Sequence, residues 1–239
     1  MSDFSSYIYC FNNPIKLIDY DGEIPTAKEG AIMADHVYNG NAGEKLSGGW
    51  QMIAVYTKKG NASFRGGLYG RYDKKGNITE YVFATAGTYV ENTKRGRKSM
   101  LEDIKQPFGH SEDMKVSIAT ARKISEQLGD KELTFVGHSK GGAEAAGNAL
   151  ATNRNALLYN PAAINPSAYD LDISNYTGTD GKGMTAFIVE GEALNTFNTE
   201  VLRAQPIDKV VKLPKQKGDS IDNHSMEAVK KALDEAHYE

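Results

Sequence analysis

A serine hydroxyl attacks a carbonyl only when it is held exposed beside a base and close to backbone donors. The stretch Leu133-Thr134-Phe135-Val136-Gly137-His138-Ser139-Lys140-Gly141-Gly142-Ala143 has the residue types for that arrangement. A short apolar run leads through a glycine-flanked serine into an Ala-rich run that continues to Ala146 and beyond. A G-x-S-x-G turn between strand and helix places Ser139 on a sharp elbow at strained backbone angles. Gly137, Gly141 and Gly142 leave room where strand and helix crowd together. The five-residue pattern is weak by itself. The strand before it and the helix after it make Ser139 the candidate nucleophile rather than part of an ordinary glycine-rich helix start.

Such a serine needs a base, and five histidines compete for the role. His138 adjoins the nucleophile and is expected to point elsewhere. His36 lies on a helical stretch, where a partly buried structural histidine is the simpler reading. His110 precedes the elbow, and His237 is third from the end, where fraying opposes exact placement. His224, in Asp219-Ser220-Ile221-Asp222-Asn223-His224-Ser225, sits in a polar loop opening the last helix, where the order Ser, acid, His puts the base.

The orienting acid belongs just past a strand end between Ser139 and His224. Phe187-Ile188-Val189-Glu190-Gly191-Glu192 offers two carboxylates. Glu190 still reads as strand, whereas Glu192 follows the Gly191 turn and can reach an imidazole from the sheet edge. Glu192 is the leading candidate, with Glu190, Asp219 and Asp222 open beside it. For the oxyanion hole, the apolar run Val82-Phe83-Ala84-Thr85-Ala86 ends in Gly87-Thr88, so a hydroxyl and a backbone N–H can converge on the elbow. The N–H of Lys140, at a helix N-terminus, is the second expected donor.

These groups need a scaffold, and 239 residues suffice for one α/β domain with a full core. Hydrophobic residues make up 40% and charged residues 25%, the balance of a globular protein. The formal net charge of −3 argues against a dedicated nucleic-acid binder. Cys10 is the only cysteine, so an internal disulfide framework and a Cys-rich metal site are excluded. No apolar run approaches the ~18 residues of a transmembrane helix. Met1 to Ser6 is polar and does not read as a signal peptide, so export would need another carrier.

Helical periodicity runs from Ala27 to Tyr38. Strands are expected at Trp50–Thr57, Phe64–Tyr72 and Ile78–Ala84, joined by Lys59-Gly60-Asn61 and Lys74-Lys75-Gly76-Asn77 turns. An amphipathic helix, Glu112–Leu128, ends at Gly129. Strand Glu132–Val136, the elbow and a helix to about Leu150 follow. Strands at Ala156–Asn160, Ala186–Glu190 and Lys209–Leu213 precede a last helix, Ser225–Ala236. Hairpins first and strand–helix alternation later imply an α/β-hydrolase-like mixed sheet with a parallel centre, flanked by helices.

Two resemblances extend this reading. Tyr7-Ile8-Tyr9-Cys10-Phe11-Asn12-Asn13-Pro14, with Asp19 and Gly22 downstream, resembles the end of an Rhs/YD-repeat core, after which a variable toxin domain follows. Tyr20 replaces the usual proline there. This gives residues 1–25 as core end or linker and 26–239 as the hydrolase domain. The second resemblance is to the class 3 (fungal-type) lipases, closest to their bacterial Mbeg1-like branch. It covers residues 27–236: a helix with tyrosine, the Gly87-Thr88 turn, the Gly-His-Ser-Lys-Gly-Gly elbow, an acidic turn and a late histidine. It implies Ser139 as nucleophile, Glu192 as acid, His224 as base and Thr88 as oxyanion residue. Ala86 stands where that family has arginine before Gly-Thr, and Glu192 where it has aspartate.

Together the resemblances imply a lipase or phospholipase that needs no metal or other cofactor. It would travel as the cargo of an Rhs protein and its secretion apparatus, act on membrane phospholipid in a rival cell, and be matched by a cognate immunity protein. Another serine hydrolase (thioesterase, peptidase or deacylase) would use the same triad. A non-catalytic binding module would follow if the substitutions at 86 and 192 had broken the site. The basic cluster Lys94-Arg95-Gly96-Arg97-Lys98 suits anionic headgroups or simply a solvated loop. Segments 89–111 and 161–184 are expected to cap the serine with an apolar inner wall.

Overall fold

Period-two alternation along the strands decides the layering of this protein. In the computed structural model, Phe83, Phe135, Leu158 and Ile188 face one side of the sheet, while Val82, Val136, Tyr159 and Phe187 face the other. Neighbouring side chains on a strand point to opposite faces, so strands apolar at consecutive positions must be covered twice. The structure describes residues 25–58, 61–88, 111–194 and 207–238. The Rhs-like stretch 7–22, the basic cluster 94–98, His110 and, but for Ser111, the expected cap segment 89–111 lie outside the described residues.

The sheet has seven strands in sequential order: β1 (Trp50–Lys58), β2 (Asn61–Tyr72), β3 (Ile78–Thr85), β4 (Leu133–His138), β5 (Asn155–Tyr159), β6 (Met184–Val189) and β7 (Lys209–Leu213). The pairs β1/β2 and β2/β3 are antiparallel, and every later pair is parallel. Helices α2 (Glu112–Leu128) and α3 (Lys140–Thr152) cover one face through Met114, Ile118, Ile124, Ala145 and Ala149. Helix α1 (Ala27–His36) and helix α5 (Met226–Glu235) cover the other through Met33, Ala34, Val229 and Leu233. A one-turn helix, α4 (Ser220–His224), precedes α5. This is the expected mixed α/β sheet. Among the described residues no helix is long and apolar enough to cross a membrane.

Local chemistry explains the boundaries. Thr26 and Glu29 form a capping box that starts α1, and Ser111 caps α2. Gly129 ends α2 at φ 57°. The expected polar loop at 219–225 is instead the helical turn α4, because Asp219 caps the N–H groups of Ile221 and Asp222 and the Asp222 carboxylate closes the box.

Segment 161–184 departs from its expected role as a cap. Its first residues lie against the elbow, where the Ala162 N–H donates to the Ser139 carbonyl at 3.0 Å. Ile164 and Leu171 then join the core beside α2 and α3. Tyr176 donates to the Arg154 carbonyl at 2.9 Å, at the far edge where β5 begins. Parallel β5 and β6 require a crossover back to that edge, and the apolar residues of 161–184 cover the sheet on the way.

Candidate active site

The parallel strands all point their C-terminal ends the same way, and the candidate residues follow those ends, the usual place for a site in an α/β sheet. Ser139 follows β4, Gly87-Thr88 follows β3, Glu192 follows β6, and His224 ends α4 after β7.

Ser139 adopts φ 57° and ψ −125°, outside the regions open to an ordinary L-residue. Such a conformation costs about 1 to 3 kcal/mol and persists only where the surroundings over-determine it. Here four backbone bonds do so. The Ser139 N–H donates to Tyr159 O at 3.1 Å, and the Ser139 carbonyl accepts from Gly142, Ala143 and Ala162 at 2.9, 3.2 and 3.0 Å. The glycines have the role expected of them. A Cβ on Gly137 would run into the Gly141 carbonyl, and one on Gly141 into the Thr85 carbonyl. A Cβ on Gly142 would meet Pro161 at 2.9 Å.

Glu192 and His224 are brought into direct contact. Gly191, at φ 77°, turns the chain after β6, and Glu192 enters the interior while Glu190 stays exposed. Glu192 Oε2 accepts from His224 Nδ1 and from the Leu194 N–H, each at 2.8 Å. Both side chains are essentially excluded from water, at 1% and 0% exposure. Asp219 and Asp222, the other acid candidates, are engaged in the α4 capping box. His224 Nε2 is buried and has no hydrogen-bond partner among the described residues, so it is not bonded to Ser139 Oγ. Catalytic hydrogen bonds are commonly loose without substrate and tighten in the complex.

The oxyanion candidates lie beside the elbow. A Cβ on Gly87 would run into the Tyr38 hydroxyl and sit 2.7 Å from the His138 carbonyl, with Ser139 Cβ in ordinary contact at 3.4 Å, so a residue without a side chain lets this backbone pack beside the elbow. Thr88 follows it and is exposed. The Lys140 N–H opens α3, where the first N–H groups of a helix have no intrahelical acceptor. The Lys140 side chain turns away and is buried against Asp113 and Glu144, so only its backbone serves the site.

Other histidines are elsewhere or differently occupied. His36 bonds Tyr69 at 3.0 Å and Glu44 at 2.8 Å, the structural role expected of it. His237 is exposed at the end of the chain. His138 turns away from Ser139, as expected, and its ring lies against His224, ring centroids 4.9 Å apart, with Nε2 2.6 Å from the His224 carbonyl oxygen and Nδ1 3.1 Å from the Tyr38 hydroxyl. Burial and the neighbouring His224 push its pKa down to about 3.

Asn160 is a residue beside the candidate site that sequence reasoning missed, and Tyr38 is one to which it gave no role. Asn160, at φ 39°, accepts from the Val189 N–H at 2.9 Å. Its amide donates to the Asn223 and His224 carbonyls at 3.1 and 3.2 Å. An asparagine directly after a buried strand, where αL geometry is tolerable, was the only sequence signal. Tyr38 is the tyrosine of the first helical stretch that the lipase resemblance includes, but nothing in the sequence gave it a role.

With this geometry in place, the comparisons with known proteins decide the family. The model of the Tle-like phospholipase domain, a phospholipase-like family, matches residues 29–223. The chain belongs to that family. It is accordingly a hydrolase of the lipase/phospholipase kind on a lipase-like α/β-hydrolase fold. No curated protein sequence matches this Tle-like phospholipase domain. Among solved structures, it is similar to a mutant form of MDLA from Penicillium cyclopium, at 16% identity and TM-score 0.45, over 80% of this chain and 77% of that one. A triacylglycerol lipase from Penicillium expansum gives 14% identity and TM-score 0.45, over 80% and 78%. The Rhizomucor miehei lipase in its propeptide complex gives 12% and 0.41, over 70% and 61%.

Proposed function

We propose that this Tle-like phospholipase domain hydrolyses carboxylic esters of membrane phospholipids with Ser139, His224 and Glu192. The observation that carries the reading is the buried Glu192–His224 contact at 2.8 Å at the same sheet edge as a serine held at φ 57°. A carboxylate only accepts, so the contact places the imidazole proton on Nδ1 and leaves the Nε2 lone pair available. His224 Nε2 takes the Ser139 proton as Oγ attacks the ester carbonyl. The Lys140 N–H and the Gly87-Thr88 segment stabilise the oxyanion. His224 then gives the proton to the leaving alcohol. Water attacks the acyl-enzyme by the same proton route, releasing fatty acid and free Ser139.

The finer biological reading is ours as well. The Gly-His-Ser-Lys-Gly-Gly elbow resembles that of the bacterial Mbeg1-like branch of class 3 lipases, and residues 7–22 resemble an Rhs core end. Both support a toxin cargo delivered into a rival bacterium and neutralised in the producer by a cognate immunity protein. Cells receiving the domain should lose membrane integrity while their nucleic acids stay intact.

The deciding experiment incubates the purified chain with liposomes of mixed phospholipids and identifies the products by mass spectrometry, with Ser139→Ala as control. Fatty acid and lysophospholipid are expected from the wild type alone. Untouched liposomes together with cleavage of thioesters or peptides would replace the phospholipid reading by another serine-hydrolase activity.

A further inference from the structure

We propose that His138 is the positioning residue for His224, setting the distance from base to nucleophile through the His224 main chain, with Tyr38 fixing the His138 tautomer. The inference rests on His224 being the base and goes beyond the triad in naming what holds that base in place. The His138 side chain is buried, with Nε2 2.6 Å from the His224 carbonyl oxygen. A carbonyl oxygen only accepts, so Nε2 carries the proton. In a neutral imidazole the lone pair is then on Nδ1, and the Tyr38 hydroxyl, 3.1 Å away, donates to it. Burial keeps the ring neutral, with its pKa pushed down to about 3, so no imidazolium stands beside the base.

The need for such a device follows from α4. Its five residues leave their last carbonyls without intrahelical donors, and Ser225 turns the chain at ψ 154° directly after His224. Side chains from two strand ends supply the missing donors. Asn160 reaches the Asn223 and His224 carbonyls at 3.1 and 3.2 Å, and His138 reaches that of His224. The two donors match the two lone pairs of the His224 carbonyl. His138 is also the residue before Ser139. Nucleophile and base are thus linked by one peptide unit, one imidazole and one hydrogen bond. Glu192 fixes the ring at Nδ1 but leaves the main chain free to shift. Misplacement by about 1 Å can cost roughly a hundredfold in rate, so a device acting on the main chain has kinetic weight.

The test uses His138→Leu, His138→Gln and Tyr38→Phe in the full chain, with His224→Ala as reference. Leucine fills the space without a donor. Glutamine restores an N–H near the Nε2 position. Each variant is assayed on phospholipid liposomes at a temperature where urea titration shows it fully folded, and its rate of labelling by a fluorophosphonate is measured. The expected result is a kcat for His138→Leu lower by about tenfold to a hundredfold at nearly unchanged KM, with labelling slowed in parallel. His138→Gln should recover most of that loss, and Tyr38→Phe should lie between it and the leucine variant. Folded His138→Leu with wild-type kcat overturns the proposal, as does a loss appearing only in KM, or a glutamine variant no better than leucine. Wild-type activity in His224→Ala would instead overturn the assignment of the base, so the two failures are distinguishable.

Discussion

The hydroxyl of Thr85, the last residue of β3, donates to the carbonyl of Gly141 at 2.7 Å in the buried interior. This bond joins the strand that leads to Gly87-Thr88 with the first turn of the helix that follows Ser139. The bond therefore ties the proposed oxyanion segment to the elbow. Thr85→Val keeps the shape and removes the donor. It should lower stability by about 1 to 3 kcal/mol, read as a lower urea midpoint at unchanged m-value. It should also lower kcat more than it changes KM, because the oxyanion donors act in the transition state. An intact kcat in folded Thr85→Val would show that the oxyanion segment is anchored independently.

The proposed nucleophile carries the plainest prediction. Ser139→Ala should reduce ester hydrolysis by several orders of magnitude while the far-UV circular dichroism stays that of the wild type. A fluorophosphonate should label wild-type Ser139, located by peptide mass spectrometry. Labelling at any other serine would move the nucleophile there.

The two carboxylates of the acidic turn should separate cleanly. Glu192→Gln removes the charge that stabilises the imidazolium, and kcat should fall by about a thousandfold or more with little change in KM. Glu190 is exposed, and Glu190→Gln should stay within about twofold. The opposite ranking would hand the role to Glu190.

The sequence made Ser139, Glu192 and His224 legible because each belongs to a local pattern: a strand, then a turn, then a residue of the right type. The strands and helices were legible for the same reason, since period two and period 3.6 are properties of short windows. What could not be read came from distant pairings. Tyr38 reaches His138 from the turn after α1, and Asn160 meets His224 only once β5 and α4 are packed. Composition also misled at 161–184, since residues such as Ile164 and Leu171 look the same whether they wall a groove or cover a sheet. At Asp219-x-x-Asp222 the capping box was written in the sequence, yet it reads equally as a polar loop.

Acid stability should report on His138. Its pKa falls from 6.5 unfolded to about 3 folded, chiefly through burial. Between those values the unfolded chain binds a proton that the native ring refuses, so stability falls as pH drops below 6.5, by at most about 1.4 kcal/mol per pH unit. His138→Gln should flatten that dependence, measured by urea unfolding between pH 7 and pH 4. An unchanged slope would mean that other groups govern the acid limb.

Glu144 should shape stability toward alkaline pH in the opposite sense. Its carboxyl is buried in α3, one turn after Lys140, with Lys140 Nζ 3.7 Å from Oε1 and no hydrogen-bond partner for either oxygen among the described residues. Burial pushes its pKa from 4.5 up to about 8, with the Asp113 charge adding to the rise and Lys140 opposing it. Between pH 4.5 and 8 the native state keeps a proton that the unfolded chain has lost. Stability therefore falls as pH rises through that window, and the cost is complete above pH 8. Glu144→Gln retains the shape of the protonated acid and removes the titration. Its stability relative to wild type should be close to neutral at pH 4.5 and increasingly favourable toward pH 8.5, read as a widening gap in urea midpoints. A gap that is constant across that range, or that narrows, would show that Glu144 is ionised in the native protein and that Lys140 holds it so.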